Sequence, residues 1–305
     1  MTGVSPASIE RLTGIRTRRW AAEHEASSDM AIVAGRQALE ATGSAPSSVD
    51  AIILSTTSPD MAFPSTACVV QRGLGCKQIR AFDVSASCSG FLYALSMAQA
   101  MIQSTQVRTC LVIGAEVKSR SLDYQDKATT LLFGDGAGAV LVRGEDDRSP
   151  EWRGILSVKL YAEGAHHGLI RVPSGGSRMP LTSEAFNTKG HALRMHGAPL
   201  FRLAVRRVER AVQDILKELG VRSEDVRQVV LHQANGRILS HIADRLGVSR
   251  DRLASVIERY GNTSSASLPI ALDDAVRSGN VSPGDLLLLG SFGGGLTWAT
   301  SLVRW

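Results

Sequence analysis

A thiol, an imidazole and a carboxamide stand out in this chain because each follows a short apolar run. Cys88 lies in Ser-Ala-Ser-Cys-Ser-Gly after Ala81-Phe-Asp-Val84. It opens a helix expected to reach about Gln103, with Phe91, Leu92, Leu95 and Ala98-Gln-Ala-Met-Ile102 on its apolar face. A thiol at a helix N-terminus sits at the positive end of the macrodipole, which favours thiolate and predicts a lowered pKa. Its neighbours Ser87, Ser89 and Gly90 are small enough to admit a substrate. His232 closes Gln228-Val-Val-Leu-His232 and precedes the polar Gln233 and Asn235; Asn262 lies in Tyr-Gly-Asn-Thr-Ser-Ser-Ala-Ser. Each has a plainer alternative: an inert buried cysteine, a satisfied core histidine, a turn-forming Asn beside Gly. Together they suit covalent catalysis, with the sulfur as nucleophile.

Two further stretches bear on chemistry. Phe292-Gly-Gly-Gly-Leu-Thr-Trp298 lacks the lysine and spacing of a phosphate loop, and its glycines allow backbone amides to approach a reacting carbonyl. The segment Pro199–Leu219 carries Arg202, Arg206 and Arg210 four residues apart, with Arg207 beside them. It is either a solvated helix face or a dock for an acidic partner.

The elements that must position these residues occur twice. A helical pattern from Ser28 to Ala41 stops at Gly43 and leads to the apolar run Ala51–Ser55; another from Pro199 to Leu219 stops at Gly220 and leads to Gln228–His232. Each is followed by a helix ending in Leu-Gly, at Gly75 and Gly247. Strand, small-residue turn and helix then recur, with Ala81–Val84 matched by Ser255–Glu258 and Cys110–Gly114 by Leu286–Gly290. Each half closes on a strand, Gly136–Val142 and Thr297–Val303. The displacement stays near 175 residues, which reads as an internal duplication of an α/β layer unit. The charged, turn-forming stretch around Glu145–Glu151 suggests halves of 1–147 and 148–305. Aligned this way, Cys88 and Asn262 occupy one position in their halves, and strand ends related by a pseudo-twofold should bring Cys88, His232 and Asn262 into one pocket.

Composition narrows the classes. The 305 residues, with 44% hydrophobic side chains, suffice for a substantial core, and a net charge of +5 is too small to argue for nucleic acid. No apolar run is long enough to span a membrane, and Met1–Leu12 lacks the pattern of a signal peptide, so a cytoplasmic enzyme is expected. Cys68, Cys76, Cys88 and Cys110 form no CxxC pair, and no metal or disulfide framework is expected. His166, His167, His191 and His196 read as loop or surface residues.

Thr13-Gly-Ile-Arg, Phe63-Pro-Ser, Gly134-Asp-Gly-Ala-Gly-Ala, His232-Gln-Ala-Asn, Gly261-Asn-Thr-Ser and Phe292-Gly-Gly-Gly-Leu-Thr-Trp together resemble the β-ketoacyl-acyl-carrier-protein synthase III family, from about residue 8 to the C-terminus. The resemblance implies a thiolase-like fold of two αβαβα-type halves, a homodimer, and a triad of Cys88, His232 and Asn262. It also implies fatty acid initiation by decarboxylative condensation. Cys88 takes an acyl group from acyl-coenzyme A, and malonyl-acyl-carrier protein then loses carbon dioxide and attacks the acyl thioester. No cofactor is implied beyond the coenzyme A thioester. Backbone N–H groups of Cys88 and Gly294 would form the oxyanion hole. Thr13, Lys127, Asn235 and Arg237 would lie on the coenzyme A side, and Phe63 would reach a partner subunit's acyl pocket. Arg202, Arg206, Arg207 and Arg245 become candidates for carrier-protein docking. Three departures stand out: a first strand and loop of the family precede the point matching Ser8, Ser8 replaces an adenine-stacking tryptophan, and Lys127 replaces an arginine.

Three rival readings share these residues. A papain-like hydrolase also uses Cys, His and Asn, but Ser87-Cys88-Ser89-Gly90 lacks the flanks of its nucleophile. A secondary-metabolism relative with another acyl donor would keep the triad, for polyketide priming, alkylquinolone formation or acyl-chain joining. A non-catalytic binding partner would have no need of a nucleophile.

Overall fold

A computed structural model describes residues 3–145 and 153–305, arranged around two sheets. The first contains β1 (Ala51–Ser55), β2 (Arg80–Val84), β3 (Thr109–Glu116) and β4 (Gly136–Arg143), in the order β2-β1-β3-β4. After β5 (Gly154–Ala162), a small ribbon pairs β6 (Ile170–Arg171) with β7 (Arg194–Met195). The second sheet adds β8 (Val226–Leu231), β9 (Leu253–Ala254), β10 (Leu286–Gly293) and β11 (Thr297–Arg304), in the order β5-β11-β10-β8-β9. In each sheet three strands are parallel, and a final hairpin, β3–β4 or β10–β11, adds an antiparallel strand. β1 and β3 are buried along their whole length and read as continuous apolar runs, as central parallel strands do.

Helices Gly90–Gln103 and Ser267–Arg277 pack between the sheets, where Phe91, Leu95, Leu268 and Leu272 join Ile53, Val112, Val230 and Leu289 in one core. Helices Ser27–Ala41 and Thr66–Leu74 cover the outer face of the first sheet, and Gly197–Leu219 and Gly236–Leu246 cover that of the second. The result is a five-layer αβαβα stack. The expected glycine stops hold: Gly75, Gly220 and Gly247 each cap a helix at positive φ (73°, 63° and 65°).

Two local expectations need correction. The strand expected at Ser255–Glu258 is the two-residue β9 at Leu253–Ala254, and Ile257–Tyr260 is a helical turn. The boundary stretch expected at Glu145–Glu151 lies, apart from Glu145, outside the described residues. The sheets are also unequal: β5 lies antiparallel on β11, whereas no strand among the described residues lies on the matching edge of β4. A groove of about 1400 Å³ runs along that edge and contains none of the candidate catalytic residues.

The sheets meet through backbone as well as side chains. A Cβ on Gly114 of β3 would stand 2.6 Å from the Ser265 carbonyl oxygen of the other half. Backbone on both sides leaves little room to relax, so Gly114→Ala is expected to lower stability by about 1–3 kcal/mol in urea unfolding.

Candidate active site

Cys88 follows β2 through a tight turn. Ser87 takes φ 53°, Ser87–Ser89 forms a 3₁₀ turn, and the α-helix starts at Gly90. The second half repeats this with Ser264 at φ 53°, a 3₁₀ turn over Ser264–Ala266 and a helix from Ser267. The structural counterpart of Cys88 is therefore Ser265. Asn262 lies three residues earlier, which corrects the expected equivalence of Cys88 with Asn262. The convergence inferred from it holds all the same: Cys88, His232 and Asn262 line one cavity of about 520 Å³.

His232 follows β8. Its amide donates to the Gly290 carbonyl (2.8 Å) and its ring meets Phe292 edge-on, with centroids 5.2 Å apart. Nδ1 lies 2.6 Å from Ser267 Oγ, which accepts the Gln233 N–H at 3.2 Å. Nδ1 is the one acceptor the Ser267 hydroxyl finds among the described residues, so the ring proton sits on Nε2. Burial removes the water that would solvate an imidazolium, and the His232 pKa falls from 6.5 to about 3. The ring is a neutral donor throughout the physiological range. Asn262 Oδ1 accepts the Ser264 N–H (2.9 Å), and its Nδ2 keeps only a long contact of 3.5 Å to the Ala234 carbonyl. One amide proton is thus available to the cavity.

The thiol departs from expectation. Cys88 is 5% exposed, and its pKa is raised rather than lowered, chiefly by burial and also by the Glu116 charge, with Ser264, Lys118 and Ser87 acting in the opposite sense. Loss of solvent outweighs the helix terminus. Cys88 Sγ lies 3.4 Å from Ser264 Oγ. The Cys88 N–H meets no acceptor among the described residues, whereas the Gly294 N–H donates to Ser87 Oγ at 3.0 Å. A Cβ on Gly293 would stand 2.5 Å from the Cys88 nitrogen, so only glycine lets β10 lie against the nucleophile.

The remaining candidates divide by position. Asn235 caps the helix Gly236–Leu246 by accepting the Arg237 N–H (2.8 Å), and Asn235, Arg237 and Arg202 line the cavity with Phe201 and Ile238. Thr13 is buried and donates its hydroxyl to the Ile9 carbonyl (2.6 Å); Lys127 is exposed at the start of a short helix; neither lines the cavity. Phe63 also lies away from it and is 84% exposed. Arg207 pairs with Glu163 (2.7 Å) and covers the Trp298 ring, and Arg245 pairs with Glu209 (2.6 Å). Arg202 and Arg206 are exposed and form no ion pair among the described residues. Sequence reasoning did not single out Ser264, Ser267, Glu116 or Lys118. The serine-rich turn after Asn262 and a lone acid ending the apolar run of β3 were the available signals.

Comparison with known proteins follows this geometry closely. The model of the 3-oxoacyl-[acyl-carrier-protein] synthase III family matches residues 82–164, and the model of its C-terminal part matches residues 216–305. A β-ketoacyl-[acyl-carrier-protein] synthase III of Rhodospirillum rubrum is 47% identical over 300 residues, covering 98% of this chain and 90% of that protein. The crystal structure of 3-oxoacyl-[acyl-carrier-protein] synthase III from Aquifex aeolicus superposes with a TM-score of 0.89 at 41% identity, covering 99% and 92% of the two chains. The priming β-ketosynthase of the R1128 polyketide pathway gives 0.90 at 35% identity, with 99% and 88% covered. Fold and relatives together define a thiolase-type condensing enzyme, an acyltransferase. Within that class, the chain belongs to the β-ketoacyl-[acyl-carrier-protein] synthase III family.

The buried neutral histidine has a consequence for stability. An unfolded chain protonates His232 near pH 6.5 and the folded protein only near 3, so its contribution is whole above about pH 6.5 and is lost as pH falls towards 3. Between pH 7 and about 4.5 the wild type should lose about 2–3 kcal/mol more stability in urea than His232→Gln. Equal slopes would mean that the ring titrates normally.

Proposed function

We propose that the protein condenses an acyl group from acyl-coenzyme A with malonyl-acyl-carrier protein to give a 3-oxoacyl-acyl-carrier protein, the step that starts fatty acid synthesis. The observation that carries this reading is the meeting of Cys88, His232 and Asn262 in one buried cavity whose outer wall bears Arg202 and Arg237.

In the first half-reaction Cys88 Sγ attacks the acyl thioester carbonyl, the carbon–sulfur bond to coenzyme A breaks, and an acyl-Cys88 thioester remains. The free Cys88 N–H suits the developing oxyanion. The Gly294 N–H is the second donor, and the Ser87 hydroxyl holds it in place until substrate enters. In the second half-reaction malonyl-acyl-carrier protein enters. His232 Nε2–H and Asn262 Nδ2–H donate to its thioester oxygen, so that the carbon–carbon bond to the departing carboxylate breaks towards an enolate they stabilise. The enolate carbon then attacks the acyl-Cys88 carbonyl, the carbon–sulfur bond to Cys88 breaks, and the thiolate released takes up one proton from solvent to restore the thiol. Two neutral donors suffice because loss of carbon dioxide itself delivers the carbanion, and a histidine that stays neutral is the right tool. None of these steps calls for a cofactor beyond the coenzyme A thioester.

Asn235 and Arg237, on the cavity wall, suit the pantetheine or phosphates of coenzyme A, whereas Thr13 and Lys127 do not line the cavity. Arg202 and Arg206, unpaired on the helix Gly197–Leu219, suit an acidic carrier protein. Arg207 and Arg245 contribute through their ion pairs to the shape of this face. Phe63, exposed beside the half-exposed Met61, suits burial against a second copy in a homodimer. Among the described residues no helix is long and apolar enough to cross a membrane. A cytoplasmic enzyme is the reading that coenzyme A and carrier-protein substrates support.

Two measurements test this reading. Intact-mass analysis after mixing with acyl-coenzyme A should show an acyl adduct in the wild type, His232→Ala and Asn262→Ala but none in Cys88→Ala. Decarboxylation of the malonyl substrate should fall about 10²-fold or more in the His232 and Asn262 variants. Arg202→Glu should raise KM for malonyl-acyl-carrier protein several-fold and leave that for acyl-coenzyme A unchanged; equal effects would reject the docking assignment.

A further inference from the structure

The reaction as described leaves the thiol proton of Cys88 without a destination. His232 forms no hydrogen bond to Sγ among the described residues: Nδ1 is committed to Ser267, and Nε2 carries the ring proton. The raised thiol pKa means that no ready thiolate waits there either. Some group must take that proton as sulfur attacks.

Behind the sulfur lies a polar chain that no step has used. Ser264 Oγ stands 3.4 Å from Cys88 Sγ and 3.0 Å from Glu116 Oε1. Glu116 ends β3 and is fully buried. It receives the Thr57 N–H (3.1 Å), Ser58 Oγ (2.7 Å) and Ser265 Oγ (3.0 Å), and it pairs with Lys118 Nζ (3.2 Å), which also reaches Thr57 Oγ1. Burial would raise its pKa, but Lys118 and these donors together hold it below the ordinary carboxylate value, so it is charged. A carboxylate can only accept. The single Ser264 proton therefore points at Glu116, and its oxygen turns a lone pair towards sulfur. The chain S–H···O–H···O runs in one direction, from the nucleophile to the carboxylate.

We propose that Ser264 and Glu116 are the proton relay of the acyl-loading half-reaction, a role that rests on Cys88 being the nucleophile. As the Sγ–carbon bond forms, the thiol proton passes to Ser264 Oγ and the Ser264 proton passes to Glu116. When the tetrahedral intermediate collapses and the carbon–sulfur bond to coenzyme A breaks, the same two transfers run back and protonate the departing thiolate. The protons balance with no outside acid or base. Lys118 Nζ, 3.2 Å from Glu116, lies on the far side of the carboxylate from Ser264 and takes no part in the transfer. Ser264 is the catalytic member, in contact with the reacting sulfur, and Glu116 acts through it as a positioning residue.

The half-reactions separate this role from a structural one. Ser264→Ala keeps the backbone N–H that holds Asn262, so decarboxylation of malonyl-acyl-carrier protein, read as carbon dioxide release, should stay within about 2-fold of wild type. Single-turnover loading, read as acyl-enzyme formed from acetyl- and longer acyl-coenzyme A, should slow about 10²-fold. In mixtures of light and heavy water the wild-type loading rate should follow a curved dependence, as two protons move in one step, and the residual Ser264→Ala rate a linear one. Glu116→Gln should resemble Ser264→Ala in loading; if it does not fold, Ser264→Ala carries the test alone. Loading at the wild-type rate in Ser264→Ala overturns the relay while leaving Cys88 as nucleophile, as does an equal fall in both half-reactions. A wild-type enzyme that no acyl thioester loads overturns the nucleophile as well.

Discussion

Removal of water from the seam between the two halves is the constraint on which the rest of the site depends. The 3₁₀ turns Ser87–Ser89 and Ser264–Ala266 meet there, β10 lies on the Cys88 backbone at Gly293, and β3 lies on the Ser265 carbonyl at Gly114. Contacts this close shut solvent out behind Cys88, and the His232 ring is buried as well, so that both meet the cavity with little exposed surface. Desolvation then sets the charge state of each group: it raises the thiol, depresses the imidazole, and would raise the carboxylate too were it not for Lys118 and the donors of Thr57 and Ser58. A helix terminus contributes only a fraction of a charge, screened or reinforced by what surrounds it, and at full burial that is the smaller effect.

The same dryness divides the labour between the halves. The site combines neutral hydrogen-bond donors with a buried carboxylate reached through Ser264. His232, held by Ser267, and Asn262, held by the Ser264 amide, come from the second half. Cys88 and the Glu116–Lys118 pair come from the first. Ser264 touches both sets, giving its amide to Asn262 and its hydroxyl to Glu116. A duplicated unit makes this possible, because the same turn delivers a cysteine in one copy and serines in the other, and the two turns face each other by symmetry.

Much of this was legible in the sequence, for identifiable reasons. Gly43, Gly75, Gly220 and Gly247 mark helix ends because helices there must pass into left-handed or turn conformations that few other residues tolerate. The apolar runs of β1, β3 and β10 and the apolar end of β8 are strands buried on both faces. His232 was recognisable because it follows the apolar end of β8, Cys88 because it opens a helix after β2, and Asn262 because its place in the second half resembled that of Cys88 in the first. What stayed hidden depended on three-dimensional register. The spacing that aligned the halves was right to within a few residues, yet that error was enough to match Cys88 with Asn262 rather than Ser265. β9 is too short for periodicity to place, so its position slipped by two residues. The thiol pKa went the other way because a local rule about helix ends carries no information on burial, and Glu116, one acid at the end of an apolar strand, comes into contact with the site only when Ser264 arrives from 148 positions along the chain.

The arginines show the same limit from the surface side. Sequence spacing put Arg202, Arg206, Arg207 and Arg245 in one class, as cations around one helix. The fold gives Arg207 to Glu163 and Trp298 and Arg245 to Glu209, while Arg202 stands at the cavity wall and Arg206 one turn along from it, both without a counter-ion among the described residues. A paired arginine has little field left to offer an approaching acidic protein, whereas an unpaired one at a cavity mouth acts on both encounter and orientation. A short strip of uncompensated charge beside the opening is therefore a better guide to where an acidic partner would dock than the stripe as a whole.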